Sequence, residues 1–411
     1  MSQRPSSAFD DAVVVVGLVA LPLLVSYVAV ALTYHDGALV VPGAAFVAHV
    51  GVPGARAFGL YLGWFLLQLG LAVILPARAA LGVPLEDGRA LPYRLNGWRA
   101  FVVTLALAAA LVLGGVLPAR ILYDEFLPLA LCANLFSFAF CVFLLVIGRR
   151  QATAAERQRS TLSAFFHGAA LNPRTAGFDW KFFCESRPSM ILWVLIDLSC
   201  AAAQLQRDGA LSSSMILVCG FQLFYVADYF FLEDAILTTW DIRHEAFGFM
   251  LCWGVLVFIP FTFSLQAVYL ATHPVHLHPA AIAGLCVLNF GGYYIFRTAN
   301  LQKHRFRSDP ERPIWGQPPQ FITTQLGTRL LTSGFWGFAR HANYLGDLMM
   351  GLAWCLCTGY GRAIPYFYIT YFVILLVHRE RRDQAHCAAK YGDEWIAYEK
   401  KVPWRIVPWL Y

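Results

Sequence analysis

Between Ser333 and Leu356 the chain reads SGFWGFARHANYLGDLMMGLAWCL. The second half is apolar enough to enter a membrane. The first half carries Arg340, His341, Asn343, Tyr344 and Asp347. A charge in a bilayer segment costs roughly 2.5–3.5 kcal/mol on insertion scales, so such a cluster calls for a reason. If residues 340–347 are helical, Arg340, Asn343, Tyr344 and Asp347 share one stripe. Gly334, Gly337 and Gly346 would let another group approach the backbone closely. Polar groups snorkelling at the headgroup level are the plainer alternative, but one snorkelling Arg does not need the whole stripe.

A second cluster lies in LLVHRERRDQ, where Arg379 and Asp383 stand four apart. Arg379, Arg381 and Arg382 exceed the local acids and leave cationic capacity for an anion. Lys303, Arg305 and Arg307 in NLQKHRFR add to it. Guanidinium forks suit phosphate oxygens. Tyr391, Trp395 and Tyr398 offer flat faces for a base or nicotinamide ring. Together these residues suit a phosphorylated nucleotide cofactor; an interfacial charge cluster is the alternative. No GxGxxG or GxxxxGK[ST] occurs, so a dinucleotide would not sit in a Rossmann or P-loop cradle. A third group, FQLFYVADYFFLEDAILTTWD, places Tyr225 and Asp228 three apart on an apolar helix. An acid there is a functional candidate, with helix–helix hydrogen bonding an equal alternative. His273, His276 and His278 in HPVHLH read as a surface turn, and no metal site is expected.

The elements that carry these groups follow from composition. The chain is 58% apolar and only 14% charged, against about 25% charged in average proteins. Ten apolar runs recur, at about 12–33, 58–76, 101–118, 126–148, 189–206, 214–233, 248–271, 280–298, 342–359 and 363–378. The fifth is interrupted by Asp197, Gln204 and Gln206. Lipid forces each spanning segment to satisfy its own backbone. The expectation is therefore an all-α polytopic membrane protein with about ten transmembrane helices. Of the 31 Lys and Arg, 27 fall in the N-terminus, the even-numbered loops and the C-terminus. That bias predicts both termini in the cytoplasm. The net charge of +6 follows from that face and needs no nucleic-acid partner. The first run follows Asp10 and Asp11 rather than a basic stretch, and reads as a retained helix. The ten Cys read as small buried hydrophobes. Polar chemistry gathers in residues 299–330 and the last 33, at one membrane face, and Pro403 and Pro408 rule out one long terminal helix.

The opening stretch and LLVHRERRDQAHCAAKYGDEWIAYEKKVPWRIVPWLY together resemble the C-terminal signature of the sterol reductase family. That family includes sterol Δ14-reductases, 7-dehydrocholesterol reductase and the lamin B receptor membrane domain. Further collinear matches are LPYRLNG (91–97), LNPRTAGFDWKFFCESRP (171–188), EDAILTTWDIRHEAFGFML (233–251), PFTFSLQ (260–266) and GYYIFRTANLQKHRFR (292–307). The resemblance implies NADPH bound in the C-terminal third and reduction of a sterol C=C bond. Carried over motif by motif, the NADPH contacts are Lys303, Arg307, Trp336, Asn343, Tyr344, Arg379, Asp383, Tyr391 and Tyr398. The expected division is 1–240, six helices forming part of a sterol pocket, and 241–411, four helices with the NADPH-binding loops and tail.

FCESRP, EDAILTTWDI and LLVHRE resemble the Δ14 branch; GFWG is closer to the Δ7 branch. The chain departs from the family at Val255, where an acid is expected, at Asp197, where Asn is expected, and at Ala342, where Pro is expected. An unactivated alkene must be protonated before it accepts hydride. Protonation at C15 of a C14=C15 bond leaves a tertiary cation at C14. Tyr225, supported by Asp228 or Asp383, is the expected acid relay. Three other readings stay open: a Δ7 reductase, a sterol-binding scaffold without catalysis, and a membrane methyltransferase using S-adenosylmethionine, suggested by RHxxYxGD. The expected partners are a sterol and membrane lipids. The excess of Arg over Lys fits a GC-rich genome and leaves the bacterial inner membrane and the endoplasmic reticulum both open.

Overall fold

The computed structural model describes residues 8–85, 88–153 and 157–411. Ten long helices overlap the ten apolar runs among those residues. They are α1 (Ala8–Tyr34), α2 (Ala55–Ile74), α3 (Gly97–Leu113), α4 (Phe126–Gln151), α5 (Trp180–Asp208), α6 (Ser213–Phe231), α7 (Phe249–Leu270), α8 (Pro279–Ser308), α9 (Ala342–Leu356) and α10 (Phe367–Tyr391). A shorter α11 (Asp393–Lys401) follows. Seven of the ten, α1, α2 and α4 to α8, are long and apolar enough to cross a membrane. Among the described residues the strands form three two-stranded antiparallel hairpins. The expectation of an all-α polytopic protein is borne out. The chain divides into two compact units, Met1–Pro274 with Arg362–Ile364, and Val275–Gly361 with Pro365–Tyr411.

In the first unit, α5 explains why the fifth run looked weak. Asp197 and Gln204 are buried in protein, and only Gln206, near the helix end, is exposed. Gln204 Nε2 donates to the Leu270 carbonyl at 2.6 Å, and Gln204 Oε1 accepts from the Ser212 amide at 2.7 Å. Asp179 caps the helix start by accepting from the Phe182 amide, and Gly209, at φ 74°, closes its end. Pro188 inside α5 removes the amide that would bond the Cys184 carbonyl. Ser189 Oγ turns back to Cys184 O and Glu185 O, at 3.4 and 3.0 Å. Such repair is what lets proline stand in an apolar helix.

The same logic shapes α7. It contains a π-helical segment, Gly254–Phe258, just before Pro260. Pro260 has no N–H for the Leu256 carbonyl, and Tyr61 on α2 donates its hydroxyl there instead, at 3.1 Å. The motifs LPYRLNG, FCESRP and EDAI meet at one buried point. Arg187 Nη2 lies 3.0 Å from Glu233 Oε1 and donates to Asn96 Oδ1 at 2.6 Å. The Gly97 amide donates to Glu233 Oε2 at 2.8 Å, and Asn96 Nδ2 reaches the Ala72 and Leu75 carbonyls. Burial lifts the Glu233 carboxyl above its ordinary range, and the Arg187 guanidinium pulls it back down. This knot joins the ends of α2, α3, α5 and α6.

In the second unit, α8 and α9 touch backbone to backbone. A Cβ on Gly292 would meet the Gly346 carbonyl, and one on Gly346 would meet the Gly292 and Phe296 backbone. Small residues permit that approach between apolar helices. Trp354 Nε1 donates to Asn289 Oδ1 across them at 3.0 Å. The hairpin Phe321–Thr323 with Arg329–Leu331 lays Ile322 and Leu330 against Trp395, Tyr398 and Val402. The terminal helix stops at Lys401, before Pro403.

Candidate cofactor site and proton donors

All nine residues expected to contact the cofactor lie in the second unit, and several converge. Lys303 Nζ sits 4.0 Å from the Trp336 ring centre, a cation–π contact. Trp336 is held there by its Nε1 donating to the Ala299 carbonyl at 2.8 Å. Arg307, one turn beyond Lys303 on α8, and Asp383 on α10 are both within electrostatic reach of Lys303. His341 stacks on Tyr344, with ring centres 4.7 Å apart, and its Nε2 lies 3.6 Å from Asp383 Oδ2. Asn343 Nδ2 donates to Asn300 Oδ1 at 3.3 Å, while Asn343 Oδ1 is buried with no partner. Tyr391, Trp395 and Tyr398 form an aromatic run, with successive ring centres 6.3 and 5.0 Å apart. Burial raises the Tyr398 phenol well above its usual range. Arg379 lies one turn before Asp383 on α10.

The stripe read from 340–347 needs correcting at its first member. The helix begins at Ala342, with His341 outside helical geometry at φ −133°, ψ 54°. Asn343, Tyr344 and Asp347 are helical; Arg340 is not. Arg340 is buried and turned into the protein. Its Nη1 pairs with Glu399 and bonds Gln384 Oε1, and its Nη2 donates to the Pro403 carbonyl. The Arg340 and His341 amides donate to the Trp404 and Arg405 carbonyls at 2.9 and 2.8 Å. Arg405 Nη1 in turn lies 3.2 Å from Glu380 Oε2, which also accepts from the Tyr411 hydroxyl at 3.0 Å. The C-terminal segment is thus bound to the residues that open α9. Glu380, Gln384 and Glu399 have no signal in the sequence, because their partners are 15 to 59 residues away.

His341 is neutral at physiological pH. Burial, then the Lys303 and Arg340 charges, push its imidazole down to about 3. Its approach to Asp383 is therefore not an ion pair. Lys303, Arg307 and, one turn before Asp383 on α10, Arg379 bring positive charge to the same elements as the carboxylate of Asp383. A fixed cation set, a buried unsatisfied amide oxygen and flat aromatic faces fit a phosphorylated dinucleotide.

Tyr225 and Asp228 belong to the first unit. They lie on α6, and the Tyr225 ring is 6.1 Å from that of Trp193 on α5. Val255, in place of the expected acid, is buried in the π-helical segment. Of the HPVHLH histidines, His273 stacks on Tyr269 and lies 3.8 Å from Asp36. Among the described residues no three His, Cys, Asp or Glu side chains are arranged to hold a metal.

These features define a multi-pass integral membrane protein of apolar helices with a basic, aromatic cluster on its last elements. Residues 29–411 match the ergosterol biosynthesis ERG4/ERG24 family, and the chain belongs to that family. It is 50% identical over 399 residues to the "Delta(14)-sterol reductase" of Methylotuvimicrobium alcaliphilum, covering 96% of this chain and 93% of that one. It is 40% identical over 409 residues to the protein of the same name from Dictyostelium discoideum, covering 95% and 88%. It is 44% identical over 358 residues to "Delta(14)-sterol reductase erg24" of Schizosaccharomyces pombe, covering 86% and 84%.

Proposed function

We propose that this protein reduces the C14=C15 double bond of a sterol with NADPH. The observation that carries this is the similarity, at 40–50% identity over 86–96% of the chain, to relatives named Delta(14)-sterol reductase. The match over residues 29–411 weighs against the methyltransferase reading, which rested on one short motif. The cluster on α8 to α11 supports the cofactor. Lys303, Arg307 and Arg379 would hold its phosphates. Trp336, Tyr344, Tyr391 and Tyr398 would flank its rings. Asn343 Oδ1, unsatisfied and buried, would accept from an amide, and Asp383 would fix the neighbouring cations. When bound, NADPH supplies the hydride.

The rest of the chemistry falls to the chain. Tyr225 delivers a proton to C15, and Asp228, three residues on along α6, restores it. The apolar helices around Tyr225 keep water from the cation that protonation leaves at C14.

The test is conversion by detergent-purified protein with NADPH, given a Δ8,14-dienol or a Δ5,7-dienol, with products identified by mass spectrometry. Loss of the Δ14 bond is expected. Loss of the Δ7 bond instead would move the protein to the Δ7 branch. No product from either, with NADPH still bound, would leave a sterol-binding protein without catalysis.

A further inference from the structure

Asp197 takes no part in the chemistry above. It lies in the middle of α5, is 2% exposed, and neither of its carboxyl oxygens has a hydrogen-bond partner. Its polar neighbours on α5 are satisfied. Trp193 Nε1 donates to Gln222 Oε1 at 3.1 Å, and Ser199 Oγ accepts from the Leu122 and Tyr123 amides at 3.1 Å. A buried acid without a partner opposes folding. Inside a membrane segment it marks a functional position.

Its placement indicates which one. The Asp197 backbone carbonyl lies 3.6 Å from Cys219 Sγ on α6, so the two helices meet at that level. Trp193, one turn earlier on the same face of α5, touches the Tyr225 ring. Tyr225 follows Cys219 by six residues on α6, which is about 9 Å along the axis at 1.5 Å per residue. A steroid nucleus has about that length from its 3-hydroxyl oxygen to the junction of its third and fourth rings. A substrate with its double bond at Tyr225 would therefore carry its hydroxyl to the level of Asp197.

We propose that Asp197 accepts the hydrogen bond of the hydroxyl at the far ring of the substrate. It thereby sets the depth at which the double bond meets Tyr225. The inference rests on the sterol reading above and names the group that orients that sterol.

The experiment measures equilibrium binding and turnover of a 3-hydroxy Δ8,14-dienol and of its 3-O-methyl ether. The proteins are wild type, Asp197→Leu and Asp197→Asn, with folding checked by thermal unfolding in detergent. Wild type should bind the free alcohol about tenfold or more tightly than the ether, because a site built around a hydroxyl rejects the analogue that cannot donate. Asp197→Leu should lose that preference by weakening the alcohol alone. Asp197→Asn, which keeps an acceptor oxygen, should stay within about threefold of wild type. Equal binding of alcohol and ether by wild type, or an unchanged preference in Asp197→Leu, would overturn the assignment. If Asp197→Leu does not fold, the wild-type comparison still decides. Wild type that shows the preference but reduces no bond would end the reductase reading and leave Asp197 as the hydroxyl acceptor.

Discussion

Replacing Arg340 by Met should release the C-terminal segment from the start of α9. The Arg340 guanidinium is the side-chain link between them, through Glu399, Gln384 and the Pro403 carbonyl. Hydrogen bonds to a charged group contribute roughly 1.5–3 kcal/mol each when removed singly. They do not add fully here. The Glu399 side chain is 31% exposed, so water reclaims its charge once Arg340 is gone. The net loss is about 3 kcal/mol, or roughly a hundredfold shift toward the undocked segment. Glu399→Gln keeps the hydrogen bond and loses only charge, and should cost about 1 kcal/mol. The readout is hydrogen exchange at the Arg340 and His341 amides, which donate directly to Trp404 and Arg405. In Arg340→Met both amides should exchange faster, and NADPH should bind more weakly because Asn343 and Tyr344 follow at once in the chain. Wild-type protection at both amides in Arg340→Met would refute the idea that this side chain holds the segment down.

Tyr225→Phe should abolish sterol turnover while NADPH affinity stays at the wild-type value; unchanged turnover would remove Tyr225 from the mechanism. Arg379→Gln should weaken NADPH binding about tenfold or more by removing a charge-assisted phosphate contact, measured by nucleotide fluorescence titration. Gly346→Ala should destabilise the second unit by about 1–3 kcal/mol, since the new methyl meets backbone that cannot swing aside. Gly59→Ala, with open space around it, is the control in the same thermal assay. His341 gives a pH dependence. Its folded-state value near 3 is below the unfolded one of about 6.5, so its contribution is complete above pH 6.5 and falls as pH drops. The loss approaches 1.4 kcal/mol per pH unit between about 6.5 and 4.5. His341→Gln should flatten the stability profile over that interval, read as Tm against pH; an unaltered slope would mean that His341 is not buried as a neutral ring. Lys303, Arg340, Asp383 and Tyr344 are the groups facing it.

Local periodicity and composition were enough for the helices. The ten runs overlap ten helices because a segment in lipid must satisfy its backbone within itself, and that requirement is written in consecutive residues. The fifth run, at 189–206, also lies within a helix. What could not be read was why it tolerates Gln204: the partners are Leu270, 66 residues on, and Ser212 across a turn. Lys303, Trp336, Asn343, Tyr344 and Asp383 were picked out by residue type and by family resemblance. The sequence could place them on helices and loops, but not against one another.

The sequence by itself determined the polytopic helical class, the run positions and the gathering of base and aromatic in the last third. Each depends on composition within one segment. Only the tertiary structure decided what the charges do. It turned Arg340 from a stripe member into an anchor for the C-terminal segment, and set His341 neutral beside two cations. It gave the Leu256 carbonyl, orphaned by Pro260, to Tyr61, and left Asp197 without a partner. The energy of a buried polar group depends on what other segments bring to it, at separations where spacing along the chain carries no information.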